Sequence, residues 1–142
     1  MTTALGLERS EIAVGFPRMV TVRVAVAVAR FLAACKPVQI ERTLGILARG
    51  AKPASAQHAT RIRKEVVAVS SRCAGQYCLQ RAIAVVLLSR IEGVWPDWCA
   101  GARIDPFMAH SWIEVDGAPV GEVFTNGFYA KMITVTARKE QG

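Results

Sequence analysis

The chain has 142 residues and a mass of 15.4 kDa; 52% of its residues are hydrophobic, which suits one packed domain and argues against general disorder. Its net charge of +7 is unevenly placed: residues 1–72 hold 12 basic and 4 acidic side chains, whereas residues 73–142 hold 6 and 7. The excess therefore belongs to one half, and with no nucleic-acid motif and only Phe16 and Phe31 interleaving the basic residues, no nucleic-acid partner is expected.

Glu8, Arg9 and Glu11 interrupt the first residues, so no secretory signal is expected and the reading is cytoplasmic. Residues 1–17 read as a loose lead-in ending at Gly15 and Pro17. The longest apolar stretch, Met19 to Cys35, holds Arg23 and Arg30 and is too short and too charged for a membrane span. Its alternating valines fit a strand, but its alanine content and length favour a helix from Met19 to Ala34. Pro37 opens a second helix, Val38 to Arg49, which Gly50 and Pro53 stop. Ser55 is placed to cap a third, running to Ser70, with Ala59, Ile62, Val66 and Val69 on one face. After Gly75, Cys78 to Glu92 is apolar almost all round and reads as a buried central helix.

Beyond Pro96 the composition turns to strands: Trp98 to Ile104, Phe107 to Val115, Ala118 to Phe124 and Met132 to Ala137. Asp116-Gly117 is a hairpin turn signal. Helices first and an antiparallel sheet second make an α+β fold, which reads as a single domain over 1–142 with a helical, basic subregion 1–72 and a core 73–142.

Three residue types able to do chemistry fall in the second half. Cys78 stands at a helix start, where backbone N–H groups and the helix dipole favour a thiolate; its alternative reading is an ordinary core cysteine. His110 lies in a strand among large apolar groups, where a structural histidine is the competing reading; His58 sits on a polar helix face. A cysteine-histidine pair needs an acid to hold the imidazole, and two are near. Asp116 is six residues from His110, up to about 20 Å along a strand, and does not easily reach. If Val115-Asp116-Gly117 forms a three-residue loop, His110 faces Glu122 across the hairpin at about 5 Å. A two-residue loop puts Val123 opposite instead and turns Glu122 away. Without CxxC or HxxxH spacing, no metal is expected.

Four segments, in order, resemble a known family. They are Cys73-Ala-Gly-Gln-Tyr-Cys78-Leu-Gln-Arg81, Gly93-Val-Trp95-Pro96 through Trp98-Cys99, Pro106-Phe107-Met-Ala109-His110-Ser-Trp112-Ile-Glu114, and Pro119-Val-Gly121-Glu122. Together they are similar to the lasso-peptide leader peptidases, bacterial cysteine proteases of the transglutaminase-like superfamily, in their stand-alone form. The resemblance implies a papain-like core that removes the leader from a ribosomally made precursor, with Cys78 as nucleophile, His110 as base and Glu122 as acid. The family usually carries Asp at the acid position, so Glu122 departs by one methylene. The resemblance further implies Gln76 as a candidate oxyanion donor and no cofactor. Its implied partners are the precursor leader, a separate small leader-recognition protein and the ATP-dependent lasso cyclase.

Arg81, one turn into the central helix, reads as a structural arginine tied to a carboxylate. Trp112 reads as core, whereas Trp95 and Trp98 fit either core or peptide groove; Cys73 and Cys99 read as packed thiols. Arg61, Arg63 and Lys64 form either a solvated helix face or a docking surface for an acidic partner. The competing function is a binding module with the same fold and no chemistry.

Overall fold

The computed structural model describes residues 15–69, 78–104, 107–122 and 128–137. Helix α1 spans Phe16–Ala33, α2 Pro37–Ala48, α3 Ala56–Val69 and α4 Cys78–Ile91. Strand β1 is Lys52–Pro53, between α2 and α3; β2 (Val94–Trp95), β3 (Asp97–Arg103), β4 (Met108–Val115), β5 (Ala118–Pro119) and β6 (Ala130–Val135) follow α4. The fold is α+β in the expected order. Among the described residues no helix is long and apolar enough to cross a membrane.

Local chemistry sets most boundaries. The first helix starts earlier than expected, at Phe16, because Pro17 falls in the first turn, where no backbone N–H is needed. Gln39 reaches back to the Lys36 N–H at 3.2 Å and caps α2. The Ser55 hydroxyl accepts from the His58 N–H at 3.1 Å and caps α3, as its sequence suggests. Along α4, Ala82 through Val86 and Leu88 are buried, so this helix forms the centre of the molecule, flanked by α1, α3 and the sheet.

The main sheet runs β5-β4-β3-β6, antiparallel throughout. Its two faces are covered differently. Trp98, Ile113 and Val135 join the helical core, while Cys99, Trp112 and Tyr129 form a separate cluster. A short parallel bridge, Lys52 with Val94 and Pro53 with Trp95, ties the α2–α3 link to the α4–β3 link. Pro53, expected only to stop a helix, is thus also a strand residue. Proline is tolerated in this strand because the bridging donors are its neighbours, Lys52 to Gly93 and Ala54 to Trp95.

The hairpin differs from the register that favoured Glu122. Val115 pairs with Ala118 and Glu114 with Pro119, leaving a two-residue loop. Asp116 and Gly117 both have positive φ, 53° and 80°, the type I′ turn that matches strand twist. The strand expected over Ala118 to Phe124 is two residues long as described, and residues 123 and 124 lie outside the described part. The Val120 N–H still donates to the Ile113 carbonyl at 2.8 Å; after it the chain leaves the ladder, and Gly121 takes φ +69°.

Candidate active site

Cys78 is the first residue of α4 and is partly exposed. Strand β4 brings His110 to it, and the two side chains share a hydrogen bond. His110 Nε2 lies 2.8 Å from Glu122 Oε1, which leaves Nδ1 for the sulfur. His110 and Glu122 meet although the hairpin has the two-residue loop and not the three-residue one. In a continuous ladder with the observed turn Glu122 would face away. The positive φ of Gly121 turns the backbone, so the carboxylate comes round to the ring. A side chain at 121 would also collide with Arg63, whose Cδ lies 2.7 Å from where a Cβ would stand.

Two arginines flank Glu122 Oε2: Arg81 Nη2 at 3.7 Å and Arg63 Nη2 at 4.0 Å. Both are buried. Arg81 is thus tied to a carboxylate, as its place in the helix suggests. Arg63 is a correction: it cannot belong to an exposed docking face with Arg61 and Lys64, because it points inward from α3 to the acid. No local pattern marks it, since the contact joins residues far apart in sequence.

The imidazole is held on a third side by rings. Trp112 and Tyr129 lie 5.8 and 5.1 Å from it, and 5.6 Å from each other, centroid to centroid. Trp112 is two residues along the same strand, where side chains share a face. Tyr129 comes from the approach to β6 and has no local signal in the sequence. The Trp112 indole N–H donates to the buried Glu114 at 2.8 Å, which fixes its plane. All three tryptophans are buried, and Trp98 also faces the cavity beside Cys78.

The electrostatics follow from these contacts. Burial opposes ionisation of Cys78. The hydrogen bond from His110, a backbone N–H from Ser111 and the nearby charges of His110 and Arg81 outweigh it, and the thiol sits below its ordinary range. Burial likewise opposes charge on His110, yet its hydrogen bonds to Cys78 and Glu122 push it up to about 9. The two shifts agree: the pair favours thiolate and imidazolium. Cys99 shows the opposite case. Burial and the carboxylate of Glu114 push that thiol up to about 12, so it stays protonated and inert. Cys35 is exposed. Gln76 and Cys73 lie outside the described residues. Among the described residues no group of three or more His, Cys, Asp or Glu could hold a metal ion.

A helix-start thiol, a strand histidine and a carboxylate, on helices followed by an antiparallel sheet, define a cysteine-protease-like architecture. Residues 22–134 match the transglutaminase-like superfamily, and the chain belongs to it. No curated protein and no solved structure matches the chain.

Proposed function

We propose that this protein is a cysteine peptidase that removes the leader from a ribosomally made lasso-peptide precursor. The observation that carries the chemistry is the chain of contacts from Cys78 through His110 to Glu122, with a lowered thiol and a raised imidazole. The four sequence segments described above carry the choice of substrate.

In this reading the Cys78 thiolate attacks the scissile carbonyl, forming a C–S bond, while the carbonyl electrons move to oxygen. In this reading the Cys78 backbone N–H holds that oxyanion, with Gln76 as the candidate second donor. Collapse expels the amine, which takes the proton from His110 and leaves a thioester. His110, now neutral, removes a proton from water. The hydroxide attacks the thioester, and the carboxylic acid departs as thiolate and imidazolium reform. Glu122 holds the ring and balances its charge, and Arg63 and Arg81 hold Glu122.

The precursor is delivered by a separate leader-recognition protein and the trimmed product passes to the ATP-dependent cyclase. Mixing the precursor, the recognition protein and this chain tests the reading by mass spectrometry. Wild type yields free leader and Cys78→Ala yields none while keeping its circular dichroism spectrum. Cleavage by Cys78→Ala overturns the assignment. Retention of intact precursor by a wild type that cleaves nothing favours the binding module.

A further inference from the structure

A cavity of about 290 Å³ opens beside Cys78. Its mouth is formed by Cys78, His110 and Ser111, the groups that would surround a scissile bond. Its walls come from every layer of the fold: Pro37 and Ile40 from α2, Leu79 from α4, Trp98 and Ala100 from β3, and Ile133 from β6. Trp98 and Ala100 alternate on β3, so both meet the helices from one face of the sheet. Among the described residues, the wall side chains behind the mouth are apolar except for the Trp98 indole N–H, which is buried with no hydrogen-bond partner. The volume is at the small end for a ligand cleft, suited to one side chain rather than an extended ligand.

Apart from that one N–H, such walls offer nothing to replace the water around a charged or strongly polar group. An alkyl or aromatic group loses nothing there and gains about fourfold per buried methylene. We propose that the cavity receives the side chain of the substrate residue flanking the scissile bond, and that this site selects peptides with an aliphatic or aromatic residue there. The inference rests on Cys78 acting as the nucleophile, as proposed above. It also gives α2 a role, since the basic, helical part of the chain supplies Pro37 and Ile40 to substrate selection.

A series of N-substituted chloroacetamides tests this without any precursor. Cys78 Sγ displaces chloride and forms a thioether, located by peptide mass mapping. Each rate is divided by that of the same reagent with free N-acetylcysteine. The N-benzyl and N-isobutyl reagents should label Cys78 at least tenfold faster than the N-methyl reagent. They should also outpace the N-(2-carboxyethyl) and N-(2-aminoethyl) reagents at least tenfold. In Ala100→Leu, which fills the cavity, the benzyl-to-methyl ratio should fall towards one. In Ile133→Ala, which widens it, the preference should move to the bulkier N-naphthylmethyl reagent. Equal normalised rates across the wild-type series overturn the cavity's role. Slow labelling of Cys78 by the N-methyl reagent, no faster than free cysteine, instead counts against the nucleophile; the ratios within the series still decide the cavity.

Discussion

Glu92 and Glu122 gather the same kinds of partner. Glu92 binds His58 Nε2 at 2.8 Å, Arg61 Nη2 at 2.8 Å and Arg18 Nη2 at 2.7 Å. Glu122 binds His110 Nε2 at 2.8 Å and lies 3.7 and 4.0 Å from Arg81 and Arg63. Each glutamate meets one histidine and two arginines, and in the first cluster both arginines also pair with Glu65. The Glu92 side chain is 28% exposed and that of Glu122 9%. Burial and the surroundings separate them. The ring of His110 meets a thiol and opens on a cavity; the contacts described for the ring of His58 end at Glu92, with Nδ1 buried and unpartnered. A histidine-carboxylate pair is therefore not what marks this site. The thiol at a helix start and the space beside it are.

The largest expected difference between the clusters is in rate. His110→Ala should slow leader cleavage, and alkylation of Cys78 at neutral pH, by at least ~10²-fold, the usual lower range for loss of a positioned acid-base group. His58→Ala should change neither by more than twofold. Comparable losses in both variants would show that the clusters share one function.

A second difference is in stability. Arg81→Met removes one cation from a buried acid and should cost about 3 kcal/mol in denaturant unfolding. Arg61→Met acts on the exposed side of its network, with Arg18 still bound to both Glu65 and Glu92, and should cost about 0.5 kcal/mol. Equal costs would mean that water reaches Glu122 as freely as Glu92.

The smallest effect expected is in the pH profile. In wild type, cleavage should rise as Cys78 ionises, below the usual thiol range, and fall as His110 loses its proton through about 9. Glu122→Gln removes a charge that raises His110, so the alkaline limb should move to lower pH. Its rate should drop about tenfold, short of the ~10⁴ found in serine proteases when the wrong tautomer is trapped, because the Gln oxygen still accepts the ring N–H. An unmoved alkaline limb would detach Glu122 from the ring.

Much of this architecture is legible from local chemistry. The all-round apolar run after Gly75 marks α4 as central and puts Cys78 at its start; the strand pattern around His110 does the same for β4. The acid is legible in identity but not in route, because a type I′ turn and a three-residue loop differ only in backbone signs that Asp-Gly permits in both. Arg63 and Tyr129 are not legible. Each reaches the site from a distant element, and nothing in the neighbouring sequence of either encodes that approach.

Gly121 has a consequence for transplanting or redesigning such a site. Where a ladder continues, the turn dictates which face every later residue occupies, and a one-residue change flips the whole strand. Here the last ladder hydrogen bond is made by Val120, and a backbone swivel at Gly121 aims the acid. The carboxylate is uncoupled from the strand register, so an acid of a different length can be fitted by adjusting the main chain. Anyone grafting Cys78, His110 and Glu122 onto another hairpin would need to carry that glycine, and the arginine packed against it, along with them.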